Sequence, residues 1–393
     1  MSYKVYLKKN EEKRLQRGHP WVYANEVQRI EGSGKNGDLA AVYSSEGRFI
    51  GKGFINHLSK IIVRIFIRDE AAVPDEAFFT ERIKAAKSFR ERTGIADEDC
   101  YRAVFGESDD LPGLVADKYG DVLSVQILTL GMDLRRDIIV KALANVFKPR
   151  GIYLRNDSQA ASKEGLKPSK GPVFGDPEPV VQITENGLKM RVNVAEGQKT
   201  GYFLDQKYNR LAVRKYAKGA DVLDCFSNVG GFSINAAVGG AKSVTAVDIS
   251  PSAIAEVMEN AALNGFSDVV SGVTGDVFQI LREYKNEDRR FDLVILDPPA
   301  FCKSRGDVKD ALRGYRDVNL LGMKLTAPGG FLVTSSCSHF ISVAQFENML
   351  KEAAEWSGRR VRQVEMRSQA PDHAPLIIED ESSYLKFFVL SVE

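Results

Sequence analysis

The chain has 393 residues, with 54 Lys/Arg against 53 Asp/Glu and a net charge of +1, a length that suits two or three domains of roughly 100–200 residues each. Its four cysteines, Cys100, Cys225, Cys302 and Cys337, are dispersed, with no C-x-x-C pair and no histidine at ligand spacing, so neither a metal site nor a disulfide framework is indicated. The N-terminus MSYKVYLKKNEEK lacks an apolar signal core and no window approaches the roughly 18 unbroken apolar residues of a membrane helix; a cytoplasmic setting with no membrane partner is expected.

From Tyr3 to Arg68, strand-like runs (KVYLK, DLAAVYS, RFIGKGFI, KIIVRIFI) are broken by turns at GSGKNGD and SSEGR, which predicts a small β-barrel. Residues 1–70 hold 13 Lys/Arg against 8 Asp/Glu, leaving 41 against 45 elsewhere. A basic module on a mildly acidic body suits an anionic partner such as nucleic acid. Trp21 and Tyr23 share one face of an extended segment, and Trp21 is read as core rather than as a base-stacking platform. A helix is predicted over Asp75–Thr93 from Phe78, Ile83, Ala86 and Phe89 at helical spacing. Strands at Cys100–Phe105, Leu114–Asp117, Val122–Ile127 and Gly151–Arg155, with a helix at Leu134–Val146, then describe a small α+β domain. The Pro- and Gly-rich stretch Leu166–Pro179 reads as a linker or long loop.

After a hairpin around TENGLKMRVNV the pattern becomes regular. Strands ADVLDCF, SVTAVDIS, DVVSGVTGD, FDLVILDPP and GGFLVTSSC alternate with helices at Phe232–Val238, Pro251–Asn264, Val277–Tyr284 and Lys309–Leu325, the signature of a doubly wound parallel α/β sheet. RRVRQVEMRS and YLKFFVLSVE are placed to finish it as an antiparallel edge.

Ligands of such sheets bind outside the carboxyl ends of the strands. The first βα turn, DCFSNVGGFS, offers a glycine-containing approach to a nucleoside cofactor, through Asp224, Phe226, Ser227, Asn228 and Gly230. Asp248, 24 positions after Asp224, can accept both ribose hydroxyls, with Ile249 beside it. Asp276, followed by Val277, can meet an adenine edge. A pyrophosphate is repelled by a loop that begins with an acid, whereas a sulfonium and an ammonium tolerate one, so the strand-end acids favour S-adenosylmethionine over a dinucleotide.

If FDLVILDPP and GGFLVTSSC are neighbouring parallel strands, Asp297 and Cys337 share one crevice. A thiolate there can attack C6 of a pyrimidine and so make C5 nucleophilic, while Asp297 hydrogen-bonds or protonates the N3/N4 edge. The competing reading of Cys337 is a buried small residue. In amino-directed nucleic-acid methyltransferases an aromatic directly follows the D/N-P-P segment; here Ala300 holds that position and Phe301 the next, which turns the reading away from exocyclic amines.

HPWVY, GESDDLPGL, GQKTGYFLDQ, CFSNVGGF, DPPAF, RGYRDVN and SSCS occur in an order that resembles the bacterial S-adenosylmethionine-dependent large-subunit ribosomal RNA cytosine-C5 methyltransferases with an N-terminal PUA domain. The resemblance covers essentially the whole chain. It implies a PUA-like RNA-binding domain over 1–70, a central α+β domain over 71–184 and a class I, Rossmann-like methyltransferase domain over 185–393. It also implies Cys337 as nucleophile, Asp297 as the acid that contacts cytosine, and a single-cysteine scheme, because Ala300 stands where two-cysteine relatives carry a second thiol; Cys302 is then a loop residue. GQKTGYFLDQ looks like a segment that folds over the cofactor, bringing Phe203, Asp205, Gln206 and Arg210 toward it, with Arg210 and Lys199 alternatively meeting phosphate; a plain hairpin is the competing reading. Pro298, Pro299, Phe301, Arg313, Tyr315 and Arg316 are the expected RNA contacts, although the last three fit a solvated helix face equally well. The partners expected are ribosomal RNA and, as an open alternative to a monomer, a second copy of the chain. Methylation of another RNA position, and a non-catalytic RNA-binding assembly factor, stay open as alternatives.

Overall fold

Alternation in the first strand, YKVYL, buries Tyr3, Val5 and Leu7 and turns Lys4 to solvent, the period-2 signature of a sheet with one face on a core. The structure is a computed structural model that describes residues 3–96, 98–302, 304–378 and 382–393. The chain forms two compact units, one of Met1–Ile183, Val192–Leu204 and Pro371–Ser382, the other of Thr184–Arg191, Asp205–Ala370 and Ser383–Glu393.

The first unit begins with a six-stranded sheet of β1 (Tyr3–Leu7), β2 (Trp21–Tyr23), β3 (Val27–Glu31), β4 (Leu39–Tyr43), β5 (Phe49–Ile55) and β6 (Ile61–Ile67), in the order β2-β6-β5-β4-β1-β3. Val22 lies in its core, whereas Trp21, expected there, is only half-buried and donates its indole N–H to Glu107 at 3.0 Å. A second sheet follows, of β7 (Cys100–Phe105), β8 (Leu114–Tyr119), β9 (Val122–Ile127), β10 (Gly151–Asn156) and β11 (Ser169–Gly175), ordered β11-β10-β9-β8-β7. Helices Glu76–Arg92 and Arg136–Phe147 pack their apolar faces on it. Strand β11 occupies the stretch read as a linker: Pro172 sits on the edge strand beside an irregularity in the β10 pairing, where a residue without an N–H is tolerated.

A hairpin of β12 (Val180–Glu185) and β13 (Leu188–Asn193) follows; Thr184–Arg191 counts with the second unit and Val192–Leu204 with the first, and the chain re-enters the second unit at Asp205. The second unit is built on β14 (Asp221–Cys225), β15 (Ser243–Asp248), β16 (Val270–Thr274), β17 (Phe291–Leu296), β18 (Thr326–Ser336), β19 (Val361–Arg367) and β20 (Lys386–Val392), ordered β16-β15-β14-β17-β18-β20-β19. The first five strands are parallel, and β20 enters antiparallel between β18 and β19, leaving β19 as the edge. The central strands β14 and β17 feed both faces: Leu223, Val294 and Leu296 join one core, while Val222, Leu293 and Ile295 join the other. Near-continuous apolar runs follow from that two-sided burial. Helix starts are fixed locally. Ser250 accepts from the Ala253 N–H ahead of Pro251, Asp276 accepts from Gln279 N–H, and Ser342 and Gln345 form a reciprocal capping box. That last cap opens Val343–Ser357, a helix the sequence pattern left unassigned. Strand order reverses between β14 and β17, so the crevice above their carboxyl ends is where a ligand belongs.

Candidate active site

Asp224 ends β14 fully buried, accepting a 2.6 Å hydrogen bond from the Ser233 hydroxyl while its Oδ1 has no protein partner. Burial pushes its carboxyl up to about 7; the Ser233 hydroxyl opposes this and the Asp297 and Asp248 charges reinforce it. The loop that follows is strained: Phe226 and Asn228 have φ of 63° and 49°, a left-handed region that bulky side chains seldom occupy outside functional loops. Gly230, at φ 87°, caps the next helix, where a Cβ would come within 3.1 Å of Val257. The fold turns the Asn228 N–H onto Asp248 Oδ2 at 3.0 Å, and Ser250 N–H donates to the other oxygen at 2.9 Å. Asp248 is thus aimed by backbone donors, and Ile249 beside it is 69% exposed.

Across the switch point, Asp297 follows β17. It accepts from Gln206 Nε2 at 2.9 Å and from the Ser335 hydroxyl. Burial raises its carboxyl to about 6; the Ser335 bond opposes this, the Asp205 charge adds to it, and Arg210 and Gln206 pull it down. Asp205 is itself buried and accepts from the Tyr384 hydroxyl at 2.7 Å. Arg210 forms a buried two-pronged ion pair with Glu185, at 2.7 and 2.6 Å. Gln206 therefore meets Asp297 directly, whereas Asp205 and Arg210 act on it through their charges and Arg210 is committed to Glu185. Phe203 and Lys199 belong to the other unit, where the Lys199 ammonium lies 5.0 Å from the Phe203 ring. Gly197–Gln206 is no hairpin; it ends in a short 3-10 turn, Leu204–Gln206.

Strands β17 and β18 are parallel neighbours with Leu296 opposite Thr334, so Asp297 and Cys337 leave adjacent strand ends. Cys337 is half-buried, whereas Cys100, Cys225 and Cys302 are buried. The Cys302 thiol donates to the Ser304 carbonyl at 3.1 Å, and burial raises its pKa.

Several expected RNA contacts are committed elsewhere. Tyr315 is fully buried, with its hydroxyl 2.9 Å from Ser338 Oγ and accepting from Phe301 N–H at 3.4 Å. The Phe301 ring lies between Tyr315 and Phe278, at 4.6 and 6.1 Å. Arg316 sits 4.1 Å from the Trp356 ring and pairs with Asp317 and Glu352, while Arg313 is exposed beside Asp310. Pro299 is exposed and Pro298 is buried. Val277 faces the core and Asp276 is a helix cap, leaving one carboxylate oxygen outside that bond. Sequence reasoning missed Lys386, a buried lysine opening an otherwise apolar strand; that break in KFFVLSV was the available signal.

Residues 5–68 match the PUA-like domain family, and residues 167–378 match the S-adenosylmethionine-dependent methyltransferase family. Curated relatives named ribosomal RNA large subunit methyltransferase I are 41% identical in Aeromonas salmonicida and 38% identical in Klebsiella pneumoniae, over 99% of this chain and 99% and 98% of theirs. The chain belongs to the S-adenosylmethionine-dependent methyltransferase family. The fold agrees over the whole length with SMU.776, a methyltransferase solved in complex with SAH, at a TM-score of 0.86 and 23% identity, with 100% of each chain covered. A Streptococcus mutans S-adenosylmethionine-dependent methyltransferase gives 0.85 and 23%, again over 100% of each chain.

The residues fit the methyltransferase cofactor. Asp224 Oδ1 and Ser227 Oγ are buried without a hydrogen-bond partner, a costly state for protein alone that a ligand bearing an ammonium and hydroxyls relieves. Among the described residues, no helix is long and apolar enough to cross a membrane.

Proposed function

We propose that this methyltransferase modifies C5 of a cytosine in large-subunit ribosomal RNA, in the cytoplasm, through a transient bond between Cys337 and C6. The observation that carries the reading is the half-buried Cys337 at the end of the strand beside the one that delivers Asp297. The full-length relatives named for the large-subunit ribosomal RNA support the substrate class, and the basic PUA-like region supports an RNA partner.

S-adenosylmethionine supplies an electrophilic methyl group. Around it, Asp224 and Ser227 would take the amino-acid end and the Asp248 carboxylate the ribose hydroxyls. Ile249 and the Asp276 oxygen outside the cap bond would face the adenine. On the substrate side Cys337 adds as thiolate to C6, and the displaced ring electrons are held by a proton at N3. Asp297, near 6, gives and retakes that proton at physiological pH. C5, now enamine-like, is the carbon that becomes methylated; its hydrogen then leaves as a proton and the C6–S bond breaks to return the thiolate. Gln206 and Ser335 hold Asp297 in place through this cycle. Phe301 is packed against Tyr315 and Phe278, which counts against the base-stacking role that amine methylation asks of an aromatic after DPP.

Mass spectrometry of nucleosides from large-subunit ribosomal RNA, with and without the protein, tests this. Loss of one 5-methylcytosine is expected; an unchanged 5-methylcytosine content with another methylated base missing rejects the assignment.

A further inference from the structure

Lys386 is 4% exposed at the start of β20. In the antiparallel pairing it stands opposite Ser336, the residue before Cys337. Its ammonium donates to the carbonyls of Ser338, at 2.6 Å, and Tyr384, at 2.7 Å. Cys337 is therefore bracketed, by strand pairing on one side and by the lysine's bond to Ser338 on the other. Among the described residues, the titratable groups facing the ammonium are the thiols of Cys337 and Cys302. Among the same described residues the buried ammonium is met by two carbonyls and no carboxylate, a costly arrangement, and a thiolate is the anion that completes those surroundings.

We propose that Lys386 is a positioning residue for methyl transfer, fixing the Ser336–Ser338 turn and supplying the positive charge that holds Cys337 as a thiolate. The inference rests on Cys337 being the nucleophile. The thiol gives its proton to water, the thiolate pairs with the ammonium, and its charge passes to the pyrimidine ring when the C6–S bond forms. Lys386 stays protonated throughout and receives the thiolate again on elimination. Burial lowers Lys386 to about 8, and the two thiols pull it back upward, so the charge is present below that pH and fades above it. The other groups around the pair are Tyr315, which feels the Cys337 charge, Asp307, which acts on Cys302, and the exposed His339, whose ring lies 5.0 Å from Tyr384. Asp297 is tied to Ser335, two residues before Cys337.

Peptide-resolved alkylation by iodoacetamide, on the full-length protein from about pH 5 to about pH 9.5, reads the thiolate directly. Cys337 in the native protein should reach half-maximal reactivity about one pH unit or more below the same peptide in the urea-unfolded chain. Lys386→Met should raise that midpoint and slow alkylation near neutrality about tenfold, and Lys386→Arg should restore it. SAH affinity, within about threefold of wild type, confirms that the Met variant is folded. A native midpoint at or above the unfolded one overturns the proposal using wild-type protein alone, so a variant that fails to fold does not shelter it. A midpoint unmoved in Lys386→Met overturns the lysine's part while leaving the nucleophile intact. Full methyl transfer by Cys337→Ala overturns the nucleophile reading itself, whatever the alkylation shows.

Discussion

On the β14–β16 side of the crevice each acid is oriented by donors from its own strand–turn–helix unit or the one before it: Asp224 by Ser233, nine residues on, Asp248 by Ser250, two on, and by Asn228, 20 back, and Asp276 by Gln279, three on. On the β17–β18–β20 side the partners are remote, the Tyr384 carbonyl beside Lys386 excepted. Asp297 is held by Gln206 across 91 residues and by Ser335 across 38, and Lys386 reaches the Ser338 carbonyl across 48. The first half is a property of successive strand–turn–helix units. The second exists only once the sheet has closed with β20 between β18 and β19. A cofactor pocket can thus be assembled locally, while the proposed bond-making groups depend on the whole sheet. Loss of a remote group should therefore abolish chemistry without emptying the pocket.

Cys337→Ala or Cys337→Ser tests that separation most severely. Turnover should fall by about 10³-fold or more, with SAH affinity held within about tenfold because the thiol acts on the base. A variant that also loses SAH would show that the two halves are not independent. Asp297→Asn should slow turnover by about 10²-fold, the lower range for a displaced acid–base group. Asparagine keeps an acceptor for Gln206 and Ser335 and has no charge to bury, so circular dichroism should change little and the unfolding temperature near pH 8 should equal or exceed that of wild type. Kinetics equal to wild type would remove Asp297 from the chemistry.

The same division explains what the sequence made legible. Asp224, Asp248, Asp297 and Cys337 each end an apolar run, and a strand end at a switch point is readable from hydrophobic patterning alone. Tyr315 and Arg316 read equally as RNA contacts or as a solvated face, because periodicity shows that Val308–Leu325 has two faces but not what each meets. One face meets the Val343–Ser357 helix, where Phe346 packs against Tyr315 and Trp356 against Arg316. Strand β11 hid behind proline and glycine, since composition does not reveal that an edge position is waiting. Lys386 was passed over because its meaning lies in Ser336 and Ser338, on a different strand and its turn.

Asp224→Asn probes the local half, through affinity and through pH. The carboxyl is raised to about 7 in the folded protein from an ordinary value of 3.8. Its contribution to stability is therefore fully present below about 4 and is lost as pH rises through about 7, since the unfolded chain releases the proton first. Asparagine can still accept from Ser233 and carries no charge to bury. Near pH 8 the ligand-free variant should be more stable than wild type by about 1–3 kcal/mol in urea unfolding, the difference vanishing near pH 4. SAH affinity should drop about 10- to 100-fold as a charge-assisted hydrogen bond is lost. A variant of unchanged SAH affinity would remove the ammonium partner assigned to Asp224.

Tyr315→Phe carries the smallest expected effect and separates two readings of one residue. The hydroxyl meets Ser338 Oγ at 2.9 Å and accepts from Phe301 N–H at 3.4 Å, both next to loops that flank the proposed catalytic pair. Ser338 Oγ also lies 3.4 Å from Cys302 N–H, so it keeps a partner when the phenol is gone. The loss should be about 1 kcal/mol, one buried hydrogen bond's net worth, or about 2–4 °C in Tm for a chain of this class. Turnover should stay within about threefold, because the turn carrying Cys337 remains pinned by Lys386. A residue that stacked on RNA would behave oppositely, leaving Tm unchanged and weakening RNA binding, and that pattern would return Tyr315 to the RNA surface.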